Sequence, residues 1–98
     1  MKIWIVASNR HHADHFARQT LKLHRDEYRT VTRSAHLLQY NARCVLVLAP
    51  DYHKGLGQRG VAEMAVLAKA FKHRLLHWRD DAAAIAEAIA SYRASLAE

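Results

Sequence analysis

Apolar residues along the chain fall into four short runs, each with the length and composition of a β-strand. The run at positions 44–49, CVLVLA, is continuous, which is typical of a strand buried on both faces of a sheet. The run near residue 30 alternates and is rich in β-forming side chains, so we expect it at a sheet edge. The predicted strands are residues 2–7, 28–32, 44–49 and 74–78.

Between these runs, apolar residues recur at steps of three and four, which is the period of an amphipathic helix. Ser8 or Asn9 can cap the first helix, and Asp80 or Asp81 can cap the last. The helices predicted in this way are residues 10–23, 34–41, 58–72 and 82–96.

Strands that alternate with helices favour a parallel sheet covered by helices on both faces. Right-handed crossovers leave few arrangements, of which strand order 2-1-3-4 is the simplest. We therefore predict one α/β domain over residues 1–98, Rossmann-like with the flavodoxin-like order. Strands one and three are then neighbours whose outgoing loops diverge, and the crevice between those loops is the usual position of a ligand.

Composition says more about the compartment and the charge of the partners than about the function of the protein. The formal charge of +6 favours anionic partners without selecting among them. The single cysteine, Cys44, excludes an intramolecular disulfide, and no apolar run approaches the roughly 18 residues of a membrane helix. We expect a cytoplasmic protein with no membrane partner, and no motif in the chain requires a cofactor.

The crevice predicted between strands one and three is bordered by polar and glycine residues. A glycine-bearing loop over residues 55–60 is expected to precede the third helix, whose N-terminal N–H groups would favour an anion. Two glycines before a helix are equally compatible with a simple turn. The candidate ligand-binding residues are Ser8, Asn9, Arg10, Gly57, Gln58, Arg59 and Gly60.

Two carboxylates near this loop are candidates for chemistry. Glu63, expected in the first turn of the third helix, has a structural interpretation as a favourable charge near a helix N-terminus. Its functional interpretation is a carboxylate nucleophile that attacks an anomeric carbon. Asp51, at the tip of the third strand, would then hold a ribose hydroxyl or act as the acid/base partner.

In two segments, KIWIVAS at residues 2–8 and GVAEMAVLA at residues 60–68, the chain resembles the nucleoside 2-deoxyribosyltransferase-like group and the small Rossmann-like nucleotide-binding domains called SLOG. The opening strand KIWIVAS is similar to the K-I-Y-hydrophobic-A start of those families. Residues 60–68, GVAEMAVLA, resemble their G-[TAV]-x-x-E-x-x-x-A segment in the glycine and in the last alanine, with Glu63 one position nearer to the glycine. The resemblance implies that a nucleotide or nucleoside is bound, with Glu63 as the catalytic glutamate and Asp51 as its acidic partner. Trp4 replaces the transferases' tyrosine and Arg59 replaces an aspartate, and these departures keep a non-catalytic nucleotide sensor or sequestering module as the alternative.

Other classes of function remain open on weaker signals. The first helix carries a basic stripe that would contact nucleic-acid phosphates without reading bases. Its members are Arg10, His11, His15, Arg18, Lys22 and Arg25. His11 and His15 have the spacing of a shared metal, but no third ligand accompanies them, so we predict no metal site. Surplus apolar residues on the third and fourth helices predict a homo-oligomer.

Overall fold

The predicted α/β architecture is confirmed. The computed structural model describes residues 2–32 and 44–97, so the helix predicted over residues 34–41 lies outside the described residues. The strands are β1 (Lys2–Val6), β2 (Tyr28–Val31), β3 (Cys44–Leu48) and β4 (Arg74–His77). The helices are α1 (Arg10–His15), α2 (Tyr52–Ala70) and α3 (Ala82–Ala97).

The four strands form one parallel sheet in the order β2-β1-β3-β4, as the sequence predicts. Ile3 is in register with Tyr28 on one side and with Val45 on the other, which places β1 in the centre. β4 completes the sheet by pairing Leu46 with Leu75. All four parallel strands therefore end at one edge, called here the carboxyl edge, where the first and third strands lie side by side.

Alternate side chains of the central strands enter two apolar layers, because successive residues of a strand point to opposite faces. One layer lies beneath α1 and α3, and the other beneath α2. Members of the first layer include Ile3, Ile5, Val45, Val47, Phe16, Ala17, Ile85 and Ile89. Members of the second include Trp4, Val6, Leu46, Met64 and Ala68. Burial on both faces explains the continuous apolar runs of β1 and β3.

The first helix is less regular than its apolar period predicts. After α1 the chain continues as a π-helical segment, Phe16–Thr20, in which the Leu21 amide donates to the Phe16 carbonyl at 3.2 Å. Lys22 then adopts a left-handed backbone with φ 56° and ends the helical run. A 3₁₀ turn, Arg25–Glu27, connects this run to β2.

The prediction of a glycine-bearing loop over residues 55–60 is wrong, because α2 already begins at Tyr52. The helix is interrupted only at Gly57, whose φ of 70° and ψ of 174° are not helical. The second part of α2 thus begins at residue 58, as predicted, but Glu63 lies in its second turn and not its first. Gly60 is helical and packs closely on Leu56, since a Cβ on Gly60 would lie 3.0 Å from the Leu56 Cβ.

Several apolar side chains of α2 and α3 face solvent in the single chain. Val66 is 68% exposed and Leu96 is 64% exposed, whereas Met64 and Ala68 on α2 are buried. In the part of the chain that the structure describes, no helix has the length and apolar character needed to cross a membrane.

Candidate functional site

The sheet brings the ends of β1 and β3 together. The Ala49 amide donates to the Val6 carbonyl at 2.9 Å, which continues the β1–β3 ladder one residue past β3. Ser8 leaves the sheet two residues after β1, and Asp51 leaves it three residues after β3. Both side chains therefore stand at the carboxyl edge, between two adjacent strands whose connections diverge.

Three side chains from this edge bond to one another and form the Ser8–His12–Asp51 cluster. The Ser8 hydroxyl donates to Oδ2 of Asp51, and Nδ1 of His12 contacts the same oxygen. Ser8 Oγ also lies 2.9 Å from Nδ1 of His12. The cluster spans 43 positions of sequence and joins the chain leaving β1 to the chain leaving β3.

Local structure fixes the position of His12 in this cluster. Asn9 caps α1, because its extended backbone turns the side chain back so that the carbonyl oxygen accepts from the His12 amide at 2.9 Å. The cap starts the helix immediately after Ser8 and projects His12 from its first turn toward Asp51. Asn9, predicted as a ligand-binding residue, therefore has a structural role that also places a functional side chain.

The electrostatics of the cluster keep Asp51 ionised. Burial acts to raise the Asp51 pKa, but the hydrogen bonds from Ser8 and His12 and the electrostatic interaction with His12 outweigh it and hold the pKa below its ordinary value. The Asp51 side chain is 18% exposed and that of His12 is 55% exposed. A shielded carboxylate with a more accessible imidazole beside it is suited to binding a polar ligand at this edge.

The cluster contains a serine, a histidine and an aspartate, but its geometry is not that of a hydrolase triad. Ser8 and Asp51 both approach Nδ1 of the imidazole, whereas a triad uses one ring nitrogen for each partner. In addition, the Ser8 hydroxyl donates its proton to Asp51 and not to the imidazole. We conclude that Ser8 acts as a hydrogen-bonding group here and is not an activated nucleophile.

Glu63 occupies a different environment from the cluster. It lies on the exposed surface of α2, where one carboxylate oxygen accepts from Nε of Arg59 at 3.1 Å. This pair is four residues apart on a helix, the usual spacing of a stabilising ion pair. Arg59, predicted to bind a phosphate, is thus paired with Glu63.

The other predicted ligand-binding residues divide between the two sides of the edge. Arg10 is exposed in the first turn of α1, with Nε 4.0 Å from an Asp14 oxygen. Gly57 and Gln58 are exposed at the interruption of α2, and Gly60 is partly covered by Leu56. Among the predicted residues, the described contacts join Ser8 directly to Asp51.

Sequence reasoning missed three residues at this edge. His12 is not among the residues predicted from the sequence, although its position four residues after Ser8 and three after a capping Asn9 is a usable signal. Tyr52 directly follows Asp51, and its ring meets that of His77, at the end of β4, edge-on with centroids 6.1 Å apart. These rings place aromatic surface beside the cluster.

Several histidines of the chain are exposed without being gathered into a metal site. His11 and His15 lie on the solvent side of α1. Within residues 2–32 and 44–97, no three His, Cys, Asp or Glu side chains are grouped so as to hold a metal ion.

Comparisons with protein-family models, curated proteins and solved structures give no match to this chain. The similarity to deoxyribosyltransferase-like and SLOG domains therefore rests on the two segments quoted above. The function has to be argued from the sheet order, the cluster and the charge of the chain.

Proposed function

We propose that this protein binds a nucleoside, nucleotide or related phosphorylated sugar at the carboxyl edge, in the crevice between β1 and β3. The observation that carries the proposal is the hydrogen bond from Ser8 to Asp51, because it brings polar groups from both strands to the usual ligand position of such a sheet. Asp51 is an ionised acceptor and is suited to a sugar hydroxyl.

Charge supports an anionic or phosphorylated ligand. The chain carries a formal charge of +6, and Arg10 is exposed on the first turn after Ser8. A guanidinium binds phosphate oxygens in a bidentate manner, and its weak pair with Asp14, at 4.0 Å, leaves it available for exchange. His12, next to the carboxylate, adds a second donor for an anionic group.

The environment of Glu63 favours binding without turnover over catalysis. A nucleophilic carboxylate works best when it is desolvated and directed at the reacting carbon. The Glu63 side chain is 49% exposed and paired with Arg59. Cleavage or transfer at the N-glycosidic bond, with Glu63 as nucleophile and Asp51 assisting, is retained as the catalytic alternative.

Thermal-shift titration with adenosine, AMP, 2′,3′-dideoxyadenosine and ribose 5-phosphate tests the binding proposal. A ligand present at 100 times its Kd stabilises the folded chain by about 2.7 kcal/mol, which is about 10–20 °C for a domain of this size. We expect Asp51→Asn, which keeps the shape and removes the charge, to reduce the shift without abolishing it, because Asp51 orients the sugar while other groups supply most of the affinity. The matched control is Asp26→Asn, on the exposed 3₁₀ turn, which should bind as the unmodified chain does.

Release of free base from the same panel distinguishes the two forms of the proposal. Base release that is lost in Glu63→Gln establishes the catalytic form, whereas binding without release establishes the sensor or sequestering form. If no compound in the panel shifts the melting temperature, the nucleotide proposal is rejected. Salt-sensitive retention on DNA in that case favours the basic stripe of α1 as the functional surface.

We also propose that the chain forms a homo-oligomer through apolar side chains that are exposed in the single chain, with Val66 of α2 the most exposed large one. Val66 of α2 and Leu96 of α3 lie on helices that cover opposite faces of the sheet, so each marks a separate candidate contact. Sedimentation at micromolar concentration gives the mass directly. A monomeric mass contradicts the proposal, and Val66→Lys should reduce association if α2 is the contact.

A further inference from the structure

A cavity separate from the Ser8–His12–Asp51 cluster opens between the end of the first helical run and the start of α3. Its volume is about 390 Å³, within the ~300–1,000 Å³ typical of small-molecule pockets. Buried Ile85 and Ile89 of α3 contribute apolar surface from the core layer, and half-buried Leu21 and Trp78 add to it. No member of the cluster lines this cavity.

The apolar part of the cavity is suited to a flat hydrocarbon body. Trp78 contributes an indole, whose broad π-surface packs well on a planar ring, and the isoleucines add branched aliphatic contacts. Apolar groups that leave water for such a pocket contribute favourable free energy in proportion to the area that they bury. A planar ligand of one or two fused rings therefore matches these walls in shape and in apolar character.

Two polar side chains line this cavity, Thr20 and Arg93, and the charged one, Arg93, is held in position by hydrogen bonds. Arg93 donates from Nε to Glu27 Oε2 at 2.7 Å, and from Nη2 to Glu27 Oε1 and to the Lys22 carbonyl, each at 3.0 Å. The Arg93 side chain is 45% exposed, whereas that of Glu27 is 10% exposed. The guanidinium of Arg93 is thus accessible to the cavity and to solvent, while the carboxylate of Glu27 is largely covered.

We infer that this cavity is a binding site for amphipathic anions, with a planar apolar body against Trp78 and the isoleucines and a carboxylate or sulfonate head at Arg93. The inference does not depend on the nucleotide proposal, because the two sites share no residue. Because Glu27 already orders the guanidinium, Arg93 loses little additional conformational freedom when the head group binds.

Two fluorescent probes that share a ring system test the site. 1-Anilinonaphthalene-8-sulfonate carries the anionic head, and N-phenyl-1-naphthylamine has the same rings without it. We expect saturable one-to-one binding of both probes to the folded chain, with the sulfonate tighter. Arg93→Gln should weaken the sulfonate probe by about tenfold, as expected for the loss of a charge-assisted hydrogen bond. The neutral probe should change less than twofold, and Arg93→Lys should recover most of the loss.

A pair of matched substitutions on α3 tests the location. Ala86 lines the cavity, so Ala86→Phe should fill it and weaken both probes by about tenfold or more. Ala90 is also exposed on α3 but lies outside the cavity lining, so Ala90→Phe should leave both affinities unchanged. Circular dichroism and a cooperative melt establish that each variant is folded before it is titrated.

Three results overturn the inference. The first is the absence of saturable binding of either probe to the folded chain. The second is an equal effect of the Ala86→Phe and Ala90→Phe variants, which places the probes elsewhere. The third is an equal loss of both probes in Arg93→Gln, which shows that the guanidinium does not recognise the head group. Because the comparison of probes is made within each variant, a modest loss of stability does not obscure the outcome.

Discussion

Replacing Gly57 by alanine tests whether α2 is interrupted at this residue, as the structure shows, or is an ordinary continuous helix. Gly57 interrupts α2 with φ 70° and ψ 174°, a backbone region that is essentially restricted to glycine. Non-glycine residues held in such regions cost about 1–3 kcal/mol. An added Cβ would meet no atom within 4 Å, so the strain arises from the backbone alone and packing does not contribute to it.

The sign of the effect distinguishes an interrupted helix from a continuous one. In a continuous helix, an alanine at this position would stabilise the fold by about 0.4–1 kcal/mol, because it restricts the unfolded chain. In the interrupted helix, we expect Gly57→Ala to destabilise by about 1–3 kcal/mol, or about 4–24 °C in Tm for a domain of this size. Gln58→Ala, at the neighbouring exposed position, is the control and should change stability by less than about 0.5 kcal/mol.

Urea unfolding followed by circular dichroism measures this difference. The slope of the free energy of unfolding against urea should be the same for both variants, so that the change in midpoint reports stability. A Gly57→Ala chain that is as stable as the unmodified chain, or more stable, would refute the interruption of α2. The position of Glu63 relative to the carboxyl edge would then have to be reconsidered, since the direction of the second part of α2 depends on that break.

Two further predictions concern buried or paired ionisable groups. The hydrogen bond from Arg93 lowers the Glu27 pKa to about 2, although burial acts to raise it. The stability that this pair contributes should therefore be complete above about pH 4.5, the ordinary pKa of the group, and should be lost as the pH falls towards 2. The difference in unfolding free energy between the unmodified chain and Glu27→Gln, measured from pH 7 to pH 2, should therefore shrink over that interval, and a constant difference would contradict it. Burial raises the Cys44 pKa to about 11, so a disulfide reagent at pH 8 should label Cys44 slowly in buffer and rapidly in urea; complete labelling of the folded chain within the mixing time would contradict the burial.

The sheet could be predicted because its strands carry strong and consistent signals. The apolar runs at β1 and β3 are long enough to require burial on both faces, and alternation with helices leaves few topologies. The loop over residues 55–60 could not be predicted in the same way, because glycine content was interpreted as a loop. Only Gly57 uses the conformational freedom of glycine, while Leu56 and Met64 continue an apolar face at helical spacing.

The candidate site was predictable in position but not in composition. Ser8 and Asp51 follow adjacent strands, so the sheet order alone brings them to one edge. His12 joins them because Asn9 starts α1 at a definite residue and direction, a detail of capping geometry that periodicity does not supply. Glu63 was expected to face the crevice on the assumption that the helix began just before it; the chain is already helical six residues earlier than predicted, at Tyr52.

The bonds within the Ser8–His12–Asp51 cluster determine what Asp51 can contribute to binding. Oδ2 of Asp51 already has two partners, so a sugar hydroxyl that bonds this oxygen must replace Ser8 or share the site with His12. Exchanging one hydroxyl donor for another at the same carboxylate changes the free energy little, because the bond that is lost and the bond that is gained are of the same kind. Asp51 is therefore better suited to orienting a ligand than to supplying most of its affinity. That affinity has to come from groups whose partners are water or weak ion pairs in the free chain, such as Arg10, and this is why a phosphorylated ligand fits the edge better than a neutral nucleoside.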